Sequence, residues 1–318
     1  MSQIPHPIQY QGSKRSLANR ILAYFPSDVH TLYEPFAGSA AISIAAAAQG
    51  LTKQCAISDL NEPLVRLLER ITQSPQGVSA AYQRIWSVQG DDVAESLAHF
   101  NAVRDEFNQT QAPELLLYLL ARCVKGAVRY NRQGQFNQSP DKRRKGTRPD
   151  TMQRNIYGVS YLLKGRSRFA ATGYMQAIEQ ATTADLVYMD PPYQGVSGER
   201  DGRYLAGLGY EDFANSLIEL NQRGISYIVS YDGKLGDISY GKNLPDSLEL
   251  KRLELDAGRS STATLLGRDD ITIESLYLSK ALVKRLFEAQ KRQVFPVQSD
   301  MTAMFSNSHA NHILQAAY

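Results

Sequence analysis

The apolar residues of this chain change period along its length. Leu17, Ile21 and Leu22 recur at helix spacing behind a small-residue loop, Tyr10 to Lys14. His30 to Glu34 is a short run with the bias of a strand. Pro35 to Ala41 then brings small residues and one glycine, followed by Ile42, Ile44 and an alanine run. That order predicts strand, tight turn and helix, the opening unit of a dinucleotide-type fold. Gln49 and Gly50 end the helix, and Gln54 to Ser58 predicts a second strand with Asp59 at its end.

From Leu64 to about Leu120 the period is helical: Leu64, Val65, Leu67, Leu68 and Ile71 share one face, as do Leu115, Leu116, Leu119 and Leu120. Asn61 to Pro63 mark the start of this stretch, Gln73 to Gly77 predicts a loop inside it, and Trp86 reads as a core residue. Sheet patterning resumes afterwards. Ser167 to Thr172 and Asp185 to Met189 predict strands, with a short helix at Tyr174 to Glu179 between them. Phe213 to Gln222 predicts a helix, Ile225 to Ser230 a strand, and Tyr231 to Gly233 a turn. Leu248 to Leu255 and Thr272 to Ser279 alternate as an antiparallel pair. The expected fold is therefore α/β, a Rossmann-like sheet interrupted by a mainly helical insertion. The boundaries are 1–62 and 155–282 for the discontinuous sheet domain, 63–154 for the insertion and 283–318 for a C-terminal tail.

Composition narrows the class. Of 318 residues, 43% are hydrophobic and 21% charged, the mixture of a soluble globular protein, and the net charge of +3 permits a polyanionic partner without demanding one. Cys55 and Cys123 stand far apart with no ligand spacing around them, so neither a disulfide framework nor a metal site is expected. The first ten residues lack a signal pattern and no run reaches membrane-span length, which predicts a cytoplasmic protein without a membrane partner.

Candidate chemistry sits at strand ends. Asp190, Pro191, Pro192 and Tyr193 directly follow the strand at Asp185 to Met189, at the edge where open α/β sheets bind ligands. Two prolines make a stiff turn whose carbonyl oxygens are free to accept hydrogen bonds. An acid, rigid acceptors and an aromatic face suit an amino nitrogen on a heteroaromatic ring. The competing reading is an ordinary strand-end turn. Small residues at Ala37, Gly38 and Ser39 admit a ligand close to the backbone, and Asp59 is placed to accept ribose hydroxyls. Gln194 to Gly209 is a candidate loop closing over the substrate. Basic residues concentrate between Arg122 and Arg154, among them Arg129, Arg132, Lys142, Arg143, Arg144 and Lys145, interleaved with Asn131 and Asn137. Cations neutralise phosphates while amides and arginines read base edges, so this stretch suits DNA. Gly258 to Thr262 is small, polar and cationic, and reads equally as a second contact to a DNA backbone or as a solvent loop.

Taken together, YQGSK at 10–14, EPFAGSA at 34–40, YNRQGQFN at 130–137 and DPPY at 190–193 resemble the Dam-like DNA adenine-N6 methyltransferases, in the order characteristic of that family. The resemblance covers about Tyr10 to Ser279. It implies S-adenosyl-L-methionine as methyl donor, with Tyr10, Lys14, Glu34, Pro35, Phe36, Ala37, Gly38, Ser39, Asp59 and Asp190 around it. It also implies catalysis by Asp190, Pro191, Pro192 and Tyr193, and contacts to double-stranded DNA from Arg129, Asn131, Arg132, Asn137, Lys142, Arg143, Arg144 and Lys145. The expected reaction is site-specific methylation of adenine N6 on a flipped-out base. A cytosine-N4 methyltransferase and an inactive DNA-binding subunit are the rival readings. A monomer or weak dimer is expected, with a cognate restriction endonuclease as a candidate partner.

Overall fold

The computed structural model describes residues 4–192, 209–235, 238–240, 243–259 and 271–294. Tyr193, the closing loop expected at Gln194 to Gly209 apart from Gly209 itself, Ser260 to Thr262, and the tail beyond Val294 lie outside the described residues.

A short helix α1 (Ala18–Leu22) precedes β1 (Val29–Glu34), α2 (Ala41–Ala48) and β2 (Thr52–Asp59). Five helices follow: α3 (Glu62–Gln73), α4 (Pro75–Ser87), α5 (Val93–Thr110), α6 (Pro113–Arg122) and α7 (Pro149–Leu163). The sheet resumes with β3 (Ser167–Ala171), α8 (Tyr174–Ile178), β4 (Leu186–Met189), α9 (Tyr210–Gln222) and β5 (Tyr227–Leu235). The described chain ends with β6 (Ile238–Tyr240), β7 (Lys251–Arg259), β8 (Ile271–Leu278) and α10 (Lys280–Val294).

Among the described residues, eight strands join one sheet, ordered β3-β2-β1-β4-β5-β8-β7 with β6 paired to β5. β3 through β5 are parallel, whereas β8 and β7 close the edge antiparallel. Because β1 connects to β2 on one side and pairs with β4 on the other, the crevice beyond their C-terminal ends is the topological switch point of the sheet. Period two sorts the strands into faces. Leu32, Leu186, Tyr188 and Ile228 pack against α1, α2 and α10, while Tyr33, Val187, Met189, Tyr227 and Val229 pack against α8 and α9.

The helical stretch is not separated from the sheet by a linker. One hydrophobic cluster runs from Cys55 and Ile57 on β2 through α3 to Tyr82, Phe107, Leu116 and Met152. Leu64, Leu67, Leu68 and Ile71 of α3 are each 0% exposed, and burying such side chains contributes roughly 2 kcal/mol apiece. Asn61 caps α3 by accepting the Leu64 N–H at 3.4 Å.

Two sequence expectations are corrected. The loop placed at Gln73 to Gly77 shrinks to Ser74, because Pro75 occupies the first turn of α4, where its missing N–H costs nothing. The turn placed at Tyr231 to Gly233 is a strand irregularity. β5 runs on to Leu235, and its register against β8 shifts between Ser230 and Gly233.

Candidate active site

The turn after β1 is built on Gly38, which holds φ at +50°. A Cβ there would stand 2.8 Å from Tyr10 Cε1, so the ring of Tyr10 lies flush against the glycine. The Gly38 N–H donates to Asp59 Oδ2 at 2.9 Å, and the Asn61 N–H donates to Asp59 Oδ1 at 2.9 Å. These bonds hold the ends of β1 and β2 together. Burial raises the Asp59 pKa, with the backbone donors opposing that rise.

The lysine loop sits on the same turn. Ser13 and Ser39 hydroxyls meet at 2.9 Å, and the Gln11 N–H donates to the Gly126 carbonyl at 3.1 Å. Gly126 has φ of +59°, and a Cβ on it would lie 2.5 Å from the Gln9 backbone, so the N-terminal segment can rest there only on a glycine. Lys14 follows in a single turn of 3-10 helix and is 7% exposed. Its Nζ lies 3.2 Å from Asp190 Oδ1 and 2.9 Å from Glu274 Oε2. Ser230 Oγ donates to the same Glu274 oxygen at 3.2 Å. The N-terminal loop, the end of β4 and β8 thus meet at one ammonium, with β5 bonded to the Glu274 that reaches it.

Asp190 stands directly after β4, at the switch point, with Pro191 buried behind it. Burial pushes its pKa up to about 6; the Lys14 ammonium pulls it down and the Glu274 carboxylate pushes it further up. Glu34, at the end of neighbouring β1, is 3% exposed and accepts the Ser43 N–H of the first turn of α2 at 2.9 Å. Burial pushes its pKa up to about 7, with Ser43 and Ile42 opposing and Asp190 adding to the rise. Pro35, Ala37 and Ser39 are buried, while Phe36 is half-buried and stacks on Tyr174 with centroids 5.2 Å apart. Tyr174 meets the edge of Phe213, which stacks on Tyr231 at 5.5 Å, so an aromatic wall borders the crevice from the α9 side.

The residues expected to touch DNA lie in two segments, 129–137 and 142–145. Arg129, Arg132 and Asn137 are exposed beside an antiparallel bridge between Tyr130 and Phe136. Asn131 has a structural task here: its Oδ1 accepts the Gln133 and Gln135 N–H groups at 3.0 and 2.9 Å and closes the turn. Tyr130 turns inward, its hydroxyl donating to Asn61 Oδ1 at 3.3 Å. Lys142 and Arg143 are exposed, Arg144 pairs with Asp141 at 3.2 Å and Lys145 pairs with Asp91. Arg122, counted with the basic stretch in the sequence, is 3% exposed and organises the loop from beneath. It donates to the Asp141 carbonyl at 3.1 Å, to the Arg144 carbonyl and to Ser96 Oγ at 2.8 Å. Trp86 Nε1 and Gln89 Nε2 donate to the Lys145 carbonyl at 2.9 and 3.2 Å, and Tyr82 donates to the Thr147 carbonyl at 2.6 Å.

Among known proteins, the family model described as D12 class N6 adenine-specific DNA methyltransferase matches residues 10–260. The chain belongs to this family. Similar proteins include modification methylase StsI of Streptococcus sanguinis, 27% identical over 76% of this chain, and type II methyltransferase M.FokI of Planomicrobium okeanokoites, 25% identical over 72%. The retron Ec67 DNA adenine methylase of Escherichia coli is 25% identical over 81% of this chain and 88% of its own length. The chain spans 38% of StsI and 36% of M.FokI, little more than a third of each. The family match ends before β8, so Glu274 lies beyond it. Glu274 and Ser230 are the site residues that sequence reasoning missed. A lone acid and a lone serine on neighbouring strands give no signal until the strand order brings Glu274, with Ser230 bonded to it, to Lys14. Among the described residues, no helix is long and apolar enough to cross a membrane.

Proposed function

We propose that this protein is a site-specific DNA methyltransferase that transfers a methyl group from S-adenosyl-L-methionine to adenine N6. The observation that carries this reading is the position of Asp190, a carboxylate at the sheet's switch point, held by Lys14 and followed by two prolines.

The residues suit the donor. Gly38 lets the ring of Tyr10 pack onto the turn, Asp59 lies at the end of β2 among backbone N–H donors, and Asp190 and Lys14 offer opposite charges to an amino acid group. Tyr10, Phe36 and Ser39 frame the same turn. When bound, S-adenosyl-L-methionine supplies an electrophilic methyl on a positively charged sulfur.

The chain's own groups would then act on the acceptor. Asp190 and the Pro191 carbonyl each accept one hydrogen of the exocyclic amine, which draws its lone pair out of conjugation with the ring. Asp190 also keeps negative charge beside the nitrogen as that atom becomes positive. Tyr193 stacks on the purine. A base within a duplex cannot reach a crevice at the strand ends, so the nucleotide flips out first, at a cost of a few kcal/mol. Residues 63–154 serve as the target-recognition region, with Arg129, Arg132, Asn137, Lys142, Arg143, Arg144 and Lys145 on phosphates and base edges and Asn131 shaping the turn that presents them.

Labelled methyl transfer to duplex DNA, with mass spectrometry of the nucleosides, tests the proposal. N6-methyladenine is the expected product, and Asp190→Ala lowers its formation at least about a hundredfold, the scale of losing a charge aimed at the transition state. Because Asp190 must be ionised to accept, kcat/KM falls as pH drops below about 6. N4-methylcytosine as the sole product, or equal incorporation by the variant, would refute the assignment.

A further inference from the structure

We propose that the cleft between the first turn of α5 and the loop at 140–145 seats one phosphate group of the DNA backbone, held from beneath by Arg122. The inference rests on the DNA reading above and deepens it, adding a fixed anchor to the exposed cations.

A cavity of about 180 Å³ opens between these two elements, lined by Val93, Ser96 and Arg122 on one side and by Pro140 and Lys142 to Lys145 on the other. A single water needs about 10–15 Å³, so the space admits a larger group. Arg122 is 3% exposed, yet its guanidinium donates to neutral oxygens: the carbonyls of Asp141 and Arg144 and the hydroxyl of Ser96. A buried charge is normally matched by an opposite one, because neutral dipoles recover only part of its lost hydration. The Arg122 Nε–H, moreover, is buried with no hydrogen-bond partner. An oxyanion in the cleft answers both the charge and the unused donor.

The acids beside the cleft are already engaged. Asp92 accepts the Ala94 and Glu95 N–H groups at 2.8 and 3.2 Å as the N-cap of α5, Asp91 pairs with Lys145, and Asp141 pairs with Arg144 at 3.2 Å. A phosphodiester carries two charged oxygens, so one can take the Nε–H while the other stays at the mouth. Lys142 and Arg143, both exposed, are then left to reach neighbouring groups on the duplex. A phosphate held this way sets the register of the protein on DNA and carries no sequence information itself.

Val93 allows a test that leaves Arg122 and the loop in place. It is the first residue of α5, is 59% exposed and lines the cleft. Val93→Glu puts a carboxylate there, and acids are favoured in the first turn of a helix, so the fold is expected to hold; Val93→Gln is the neutral control. Fluorescence anisotropy at fixed salt would measure binding of the full chain to a duplex containing the sequence at which N6-methyladenine forms. A series of duplexes carries an uncharged methylphosphonate in place of one phosphate at a time. In the unsubstituted protein, one position is expected to raise Kd about tenfold. Val93→Glu is expected to raise Kd for the unmodified duplex at least about fivefold and Val93→Gln less than about twofold. In Val93→Glu, the methylphosphonate at the sensitive position should then cost less than about twofold, because that contact is already lost. Equal binding by the two variants, or an undiminished tenfold effect of the same phosphate in Val93→Glu, would overturn the proposal. So would a flat methylphosphonate profile, and saturable binding of inorganic phosphate that Val93→Glu abolishes would then assign the cleft to a free anion. Failure of the unsubstituted protein to bind any duplex would sink the DNA reading and this proposal with it, whereas the other outcomes leave that reading standing.

Discussion

Replacing Gly38 with alanine separates two contributions at the turn after β1. The first is conformational: a residue with φ of +50° and a side chain costs about 1–2 kcal/mol. Ala40, two residues on, already holds φ of 54°, so the fold tolerates that strain at least once in this turn. The second contribution decides the outcome. The new Cβ would meet Tyr10 Cε1 at 2.8 Å and Cδ1 at 3.2 Å, closer than carbon atoms pack, so the ring must be displaced. Overpacking of this kind costs about 1–3 kcal/mol. The sum, about 2–5 kcal/mol, corresponds to a fall in Tm of roughly 3–8 °C for a chain of this size. Donor affinity falls at least about tenfold if Tyr10 borders the donor. Calorimetric melting and titration, repeated in a Tyr10→Ala background, provide the assay. With the ring gone, the same substitution should cost only the conformational part. A cost that is identical with and without Tyr10, or a Gly38→Ala protein as stable as its parent, would falsify the reasoning.

Two further substitutions probe buried charge. Glu34 has its pKa raised to about 7, so in the folded state its ionisation is disfavoured; the stability it contributes is full below its ordinary range and is lost as pH rises through about 7. Glu34→Gln keeps an acceptor for the Ser43 N–H and should therefore gain stability over the parent between about pH 5 and pH 8.5, on the order of 2–3 kcal/mol by denaturant titration; a flat difference across that range would contradict the sign. Arg122→Ala removes the donors to the Asp141 and Arg144 carbonyls and to Ser96, and should cost about 3 kcal/mol while weakening DNA binding, measured by melting and by fluorescence anisotropy at fixed salt. Unchanged DNA affinity in a folded Arg122→Ala protein would mean that the loop it supports does not touch the duplex.

Much of this architecture was legible in residue order. Strands β1, β2 and β4 carry apolar runs near glycine and proline signals, and the final antiparallel pair alternates, so period alone located them. The misreadings share a cause. Asp232-Gly233 has the composition of a tight turn, but pairing of β5 with β8 on both sides of it prevails over the local preference. Ser74-Pro75 reads as a break, yet the same proline is a favoured helix start. At the site, Asp190, Lys14, Gly38 and Asp59 announced themselves through neighbours in sequence. Glu274 and Ser230 did not, because their relation to Lys14 exists only through the order of strands β5 and β8 in the sheet. Tyr130 and Arg122 belong to polar, basic stretches, and only burial reveals that both face inward.

The loop at 141–147 is tethered by its carbonyl oxygens: Trp86 and Gln89 hold that of Lys145, Tyr82 that of Thr147, and Arg122 those of Asp141 and Arg144. These tethers do not depend on the exposed side chains of Lys142 and Arg143, but Asp141 and Gly146 also shape the path: the Arg143 N–H donates to Asp141 Oδ1 at 2.8 Å, and a Cβ on Gly146, with φ of +80°, would lie 2.9 Å from the Ala121 carbonyl. Exposed positions 142 and 143 can be rewritten without disturbing the scaffold, much as type is reset in a fixed frame. On the proposed reading of this loop as a DNA contact, sequence preference changes by exchanging letters at the tip while α4 and Arg122 stay as they are.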